Sequence, residues 1–256
     1  KVGSMFSDNF TLNGKTAIVT GCNAGLGQGL ACALADAGAD IFGVYRSDSG
    51  NTPSLVEDKG VKFFGYKADL SNISAVEDII STALDVFSRI DILVNNAGAI
   101  IREDSLTFSE KDWDYVMDLN AKSVFFLSQA CAVEFAKQGS GKIINIASML
   151  SFQGGIRVPS YTASKSAVRG LTMSLSNEWA HLGINVNAIA PGYMETSNTS
   201  ALREDKERNE AILDRIPAGR WGRPEDLGGA VVFLASKASD YVNGITLPVD
   251  GGWLGR

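Results

Sequence analysis

Short runs of β-branched and apolar residues recur along the chain between longer stretches of helical periodicity, and this alternation restricts the fold more than any other feature. A parallel sheet whose strands are joined by crossover helices produces that order. The spacing predicts strands at residues 16–20, 41–44, 62–66, 92–94, 142–146, 185–190 and 245–249, with helices at 27–37, 74–88, 110–137, 161–181 and 224–236. Most of these strands are apolar without alternation, as strands buried on both faces require. The expected class is α/β, a doubly wound parallel sheet with helices on both faces. No linker, repeat or low-complexity stretch breaks the pattern, so residues 5–256 read as a single domain. Lys1 to Ser4 precede Met5 and read as an expression remnant.

Composition narrows the partners. Hydrophobic residues make up 45% of the 256, enough for a large core, and the net charge of -6 is spread without long basic blocks. Nucleic acid is therefore not an expected partner, and a small molecule is. Three cysteines, Cys22, Cys32 and Cys131, show no CxxC or metal-ligand spacing, which points to a reducing compartment and a cytoplasmic protein. No apolar run approaches the roughly 18 residues of a membrane span, and the N-terminus lacks the order of a signal peptide. His181 is the only histidine and sits near a predicted helix end, so histidine-based triads and zinc sites are not expected.

The first predicted strand runs into Thr20-Gly21-Cys22-Asn23-Ala24-Gly25-Leu26-Gly27, which opens the first helix. Such a turn lets backbone N–H groups and the helix N-terminus approach a pyrophosphate, making Gly21, Asn23, Gly25, Leu26 and Gly27 candidate dinucleotide contacts. The spacing G-x-x-x-G-x-G differs from the more familiar G-x-G-x-x-G. The second strand ends in Val44-Tyr45-Arg46, without the acidic residue that often binds ribose hydroxyls. Arg46 has three readings: pairing with a ribose phosphate, stacking on adenine, or an exposed loop arginine. Asp69-Leu70 follows the third strand, placed either to meet an adenine amino group or to cap the next helix. Asn95-Asn96-Ala97-Gly98 follows the fourth strand, at the edge where open α/β sheets bind ligands; it reads as a cofactor contact or as a turn.

Ser148 lies just after the fifth strand, and Tyr161 and Lys165 stand four residues apart on one face of the next helix. Tyrosine acting as a base near neutral pH requires its pKa of about 10 to fall by roughly three units, or about 4 kcal/mol of preferential phenolate stabilisation. A neighbouring Lys165 and a positively charged oxidised nicotinamide push in that direction. Tyr161 would then exchange a proton with the substrate oxygen while hydride moves at carbon, and Ser148 would hold that oxygen. Asn120 is a poor choice for a merely packed helix position, and a role holding water beside Lys165 accounts for it.

Together, residues 20–27, Asn95 to Gly98, Asn120, Ser148, Tyr161-Thr-Ala-Ser-Lys165 and Pro191-Gly192 resemble the short-chain dehydrogenase/reductase family over residues 12–256. The resemblance implies a Rossmann-type sheet of seven parallel strands, an Asn120, Ser148, Tyr161, Lys165 tetrad and a homotetramer. It also implies that Asn96 contacts the cofactor ribose, that Pro191 and Gly192 border the cofactor, and that Met194 and Thr196 meet the nicotinamide carboxamide. Residues 143–165, 216–222 and 239–244 further resemble the family's sugar-acid branch in uronate breakdown. This implies reversible reduction of 3-deoxy-D-glycero-2,5-hexodiulosonate to 2-dehydro-3-deoxy-D-gluconate, with NAD(H) favoured and NADP(H) admitted by Arg46.

An anionic, polyhydroxylated substrate calls for a cation and polar groups near Ser148 and Tyr161, and Arg102, Gln153 and Arg157 stand in loops able to supply them. Each arginine also reads as an exposed loop charge. Trp253 reads as a subunit-interface aromatic. Residues 196–213, with a mixed-charge run, read as a weakly anchored surface helix or a mobile lid. Gluconate 5-oxidation and 3-oxoacyl reduction fit the same tetrad, and a dinucleotide sensor without chemistry fits the fold alone.

Overall fold

The structure, a computed structural model, describes residues 7–256; the expected remnant at 1–4 lies outside the described residues. Strands β1 (Thr16–Thr20), β2 (Asp40–Tyr45), β3 (Phe63–Lys67), β4 (Ile92–Asn95), β5 (Gly141–Ile146), β6 (Ile184–Pro191) and β7 (Thr246–Val249) form one sheet in the order β3-β2-β1-β4-β5-β6-β7. Every pairing is parallel. The chain builds outward from β1 to β3, returns to β4, and builds outward again to β7. That reversal between β1 and β4 opens a crevice at the carboxyl ends of the strands.

Helices α1 (Gly25–Asp36), α2 (Thr52–Glu57), α3 (Val76–Phe87), α4 (Glu110–Met117), α5 (Ser123–Gln138), α6 (Pro159–Trp179), α7 (Ser200–Glu204), α8 (Lys206–Leu213) and α9 (Gly228–Ala235) complete the described elements. Because side chains alternate across a strand, the sheet divides its apolar residues between two layers. Val19, Ile41, Val94 and Ile144 pack with Leu30 and Leu34 of α1 and Val231 and Leu234 of α9. Ile18, Phe42, Leu93 and Ile143 pack on the other face with Ile79 of α3, Leu127 and Phe135 of α5 and Leu175 of α6. Each such side chain, fully buried, contributes roughly 1.5–3 kcal/mol.

Four departures from the sequence reading have physical causes. The outermost strands β3 and β7 are only half-buried, since each has a neighbour on one edge alone; Pro248, which lacks an N–H, is tolerated in β7 for that reason. The helix expected at 110–137 is interrupted by a π-helical turn at Asp118–Lys122 between α4 and α5. The helix expected at 224–236 begins as a 3-10 turn, Pro224–Leu227, before α9. The short α2 was not anticipated: Pro53 stands in its first turn, and the buried Thr52 hydroxyl donates to Cys22 O at 2.9 Å, fastening it beneath the glycine turn. Among the described residues no helix is long and apolar enough to cross a membrane.

Candidate active site

The glycine turn is shaped by one close approach. A Cβ on Gly27 would fall 2.0 Å from Gly21 O, so any side chain there would force the turn open. Gly21 and Asn23 line a cleft of about 350 Å³ that continues past Arg46, Asp69, Leu70, Ala97 and Gly98 to Tyr115 and Asn198. Gly25 sits under Thr196, whose Cγ2 lies 3.6 Å from where a Gly25 Cβ would stand. Leu26 packs its side chain against the core of α1 and α9, so a contact with a dinucleotide would be made by its backbone N–H at the start of α1.

Asn96 faces inward. Its Nδ2 donates to Thr20 O at 2.9 Å and to Gly21 O at 3.2 Å, while Thr20 Oγ1 accepts from Asn96 N and Ala97 N at 3.0 and 2.9 Å. Its amide nitrogen therefore locks the two turns together. Asn95 is buried and donates to Ser128 Oγ and Asn145 Oδ1, across the β4–β5 pair.

Arg46 stands exposed at the rim of the cleft, its Nη1 donating to Tyr115 Oη at 3.0 Å. Asp69 Oδ1 accepts from Ser71 N at 2.9 Å, and this bond, with the Ser71 hydroxyl and the charge of Arg46, holds its carboxyl below the ordinary range. Asp69 thus serves its own turn and lines the cleft at once. Leu70 is 4% exposed, with most of its side chain in the core.

The four residues of the expected tetrad meet beneath the strand ends. Pro159 opens α6, placing Tyr161 in the first turn and Lys165 one turn deeper. Ser148 is extended at the N-cap of a 3-10 turn, Met149–Ser151, and its Oγ accepts from Leu150 N at 3.1 Å. Burial pushes the Tyr161 phenol above its ordinary value, while a hydrogen bond from Ser148 and the charge of Arg102 pull it down. Lys165 Nζ lies 5.7 Å from the Tyr161 ring centroid and donates to Ile146 O at 2.6 Å; burial depresses its pKa to about 8. The charge of Arg102 thus bears on the phenol in addition to the neighbouring Lys165, an effect the sequence reading had not assigned to it.

Asn120 is fully buried in the π-helical turn. Its Oδ1 accepts from Ala99 N at 2.8 Å, and its Nδ2 donates to Ala99 O at 2.9 Å and Ser164 Oγ at 3.1 Å. These bonds join the turn after β4 to α6 through the Asn120 side chain.

Glu103 N donates to Arg157 O at 3.0 Å, joining the loops that carry Arg102 and Arg157 at the mouth of the site. Arg102 Nη2 reaches Asn198 O at 3.4 Å. Arg157 is exposed and held in the left-handed region at φ 62. Gln153 is turned away, its Oε1 accepting from Trp253 Nε1 at 3.3 Å. Trp253 is itself 4% exposed, packed on Tyr193 and under the Arg215 guanidinium, so it is not an interface aromatic in this chain. Pro191 ends β6, and Gly192 backs onto Asp250. Met194 has its side chain in the core at 4% exposure and pairs by its backbone with Gly222. Thr196 faces the glycine turn. Residues 196–213 carry a 3-10 turn, α7 and α8, and Ile212 is anchored among Trp221, Trp253 and Met149.

Sequence reasoning missed Thr20, Tyr115, Ser151, Ser164 and Asn198. Only Tyr115 carried a signal, as an aromatic on the polar helix α4; Thr20 and Asn198 have partners 76 and 96 residues away, and Ser151 and Ser164 are small polar residues with no distinguishing pattern.

The family model described as Enoyl-(Acyl carrier protein) reductase matches residues 21–254. A 2-dehydro-3-deoxy-D-gluconate 5-dehydrogenase of Dickeya dadantii (strain 3937) is 62% identical over 253 residues, covering 98% of this chain and 100% of its own. The chain belongs to the short-chain dehydrogenase/reductase family. It is an NAD(P)-dependent oxidoreductase acting on CH–OH groups. Within the family, a candidate 2-deoxy-D-gluconate 3-dehydrogenase from Agrobacterium tumefaciens with bound NADP is 55% identical and superposes with a TM-score of 0.92, over 97% of this chain and 100% of that one. A gluconate 5-dehydrogenase from Burkholderia cenocepacia J2315 in complex with NADP and tartrate is 40% identical with a TM-score of 0.94, over 98% and 99%.

Proposed function

We propose that this short-chain dehydrogenase/reductase interconverts 3-deoxy-D-glycero-2,5-hexodiulosonate and 2-dehydro-3-deoxy-D-gluconate, with Tyr161 as the general acid and base. The observation that carries the chemistry is the buried Tyr161 phenol, on which the Ser148 hydroxyl and the charge of Arg102 both act to favour its ionised form. The 62% identity to the Dickeya dadantii dehydrogenase carries the choice of substrate.

A dinucleotide fits the residues present. The cleft is walled by the small residues Gly21, Ala97 and Gly98, with Arg46 and Asp69 also in its lining. A nicotinamide cofactor held there would supply the acceptor, or the source, of the hydride exchanged at the carbinol carbon. Tyr161, neutral at pH 7 in the cofactor-free site, donates its proton to the developing alkoxide in reduction and takes the hydroxyl proton in oxidation. The Ser148 oxygen is fixed by the bond it accepts from Leu150 N, and its single O–H turns from the phenol to hold the substrate oxygen when substrate is bound. Lys165 contributes positive charge behind the phenol once cofactor is in place, and Asn120 supports the proton relay by fixing α6 to the turn after β4. Arg102, with Arg157 on the joined loop, receives the substrate carboxylate as a planar fork.

Both nucleotides are used. Arg46, steadied by Tyr115, offers free N–H groups to a ribose phosphate, so NADP(H) binds through it and NAD(H) binds without it. We place the enzyme in the cytoplasm, consistent with three free cysteines. A homotetramer is supported by apolar side chains left exposed on α5 and α6, Val133 and Met173.

The test follows reduced-nicotinamide absorbance with NADH and NADPH separately, against the diulosonate and a 3-oxoacyl thioester. Turnover of the diulosonate alone is expected. Tyr161→Phe is expected to bind cofactor and not turn over, and Arg46→Ala to weaken NADPH far more than NADH. Preference for the thioester refutes the substrate; normal turnover by Tyr161→Phe refutes the mechanism.

A further inference from the structure

The stretch that carries Ser148 is held at both ends by one residue of α6. At its start, Ile146 O accepts from Lys165 Nζ at 2.6 Å; at its end, the Ser151 hydroxyl donates to Lys165 O at 2.6 Å. Between them the chain leaves β5 and bends through the 3-10 turn Met149–Ser151, with Ser148 extended at its N-cap. The same Ser151 Oγ accepts from Ser148 N at 3.3 Å, and Ser151 N donates to Ser148 O at 2.9 Å. Ser151 therefore grips the main chain of Ser148 from both sides and fastens it to the main chain of Lys165. At 7% exposure, its bonds are shielded from competing water.

The two attachments differ in kind. The Lys165 ammonium takes part in the charge balance of the site and loses its proton as pH rises. The Ser151 hydroxyl is neutral and holds at any pH the protein survives. We propose that Ser151 is a positioning residue: it sets the distance and direction of the Ser148 hydroxyl relative to Tyr161. This assignment rests on the reading of Ser148 and Tyr161 given above.

Because misplacement of a reacting group by about 1 Å can cost on the order of 10²-fold in rate, loss of the grip is expected to lower kcat by roughly 10- to 100-fold. Three variants are made in the full-length enzyme: Ser151→Ala, Ser151→Thr, and Ser160→Ala, the last removing a buried α6 hydroxyl that has no hydrogen-bond partner. Ser151→Ala is expected to lower kcat, to leave the cofactor KM unchanged, and to move the alkaline midpoint of the oxidation profile upward as Ser148 drifts from the phenol. Ser151→Thr, which keeps the hydroxyl, is expected to recover most of kcat and the original midpoint, and Ser160→Ala to match the parent. The proposal is overturned if Ser151→Ala keeps the parental kcat and midpoint. It is equally overturned if the loss of kcat follows only a lower Tm with no shift of midpoint, or if Ser151→Thr is no better than Ser151→Ala. Tyr161→Phe, assayed alongside, separates the two readings. An inactive Tyr161→Phe with a normal Ser151→Ala removes only the Ser151 assignment, whereas a normal Tyr161→Phe removes both.

Discussion

Lys165 is 5% exposed, and no carboxylate among the described residues forms a salt bridge with it; its ammonium meets a carbonyl oxygen and the face of a ring. Burial brings its pKa from the ordinary lysine value of 10.5 to about 8. A displacement of that size costs the folded state roughly 3 kcal/mol at pH 7 for keeping the proton. Because the folded value lies below the unfolded one, the cost is present in full below pH 8, and stability rises as pH climbs from about 8 towards 10.5. Lys165→Met keeps most of the side-chain volume and removes the charge. It forfeits the bond to Ile146 O, about 1 kcal/mol, leaving a net gain of roughly 2 kcal/mol. For a chain of this length that corresponds to about 4 °C in Tm at pH 7. Calorimetry and urea unfolding of the cofactor-free proteins at pH 7 and pH 10 measure the gap. The variant is expected to be the more stable at pH 7, to lose most of that lead by pH 10, and to be nearly inactive. A variant less stable than the parent at pH 7, or a lead that does not shrink with pH, would refute the reasoning.

Three further substitutions probe other parts of the site. Arg102→Met removes a charge that lowers the Tyr161 pKa, so the alkaline midpoint of the oxidation rate should move up and the diulosonate KM should rise; steady-state profiles across pH check both. Gly27→Ala places a methyl group 2.0 Å from Gly21 O and should cost about 1–3 kcal/mol while weakening NADPH binding, read by melting with and without the nucleotide. Trp253→Ala empties the site between Tyr193 and Arg215 and should cost roughly 3 kcal/mol in urea unfolding, with a higher substrate KM as Gln153 is released.

The sheet was legible because its signal is local. Seven apolar runs separated by helical periodicity leave few topologies open, and the observed strands start or end within about a residue of the expected positions, a margin typical of assignment itself. Tyr161 and Lys165 were legible as residue types four apart on one helix, and both do lie on α6. What the pattern did not carry was where each side chain points. Asn96 and Asn120 turn inward to backbone partners that are 76 and 21 residues away, and Gln153 binds a tryptophan 100 residues away; no periodicity reports such pairings. The π-helical turn escaped for a related reason, since the hydrophobic spacing across residues 110–137 tolerates one extra residue. Arg102 was noticed for the substrate and not for its effect on Tyr161, which depends on a loop conformation set by the Glu103 to Arg157 bond.

The π-helical turn at Asp118–Lys122 also sets a phase relation between two halves of one long helix. Ser123 N reaches back to Asp118 O, five residues away, so the backbone accommodates one residue more than a regular turn. Each residue of an α-helix advances the side chains by about 100°, and the surplus residue rotates everything in α5 by that angle relative to α4. Asn120 rides on the surplus: it is fully buried, while Asp118 and Lys122 pair at the surface at 3.1 Å on either side of it. Removing a single residue from the turn would let the helix run smoothly and would bring α5 out of step with the sheet it covers. The irregular turn is thus a frame shift in three dimensions, written into the chain at the one place where the scaffold and the tetrad must both be satisfied.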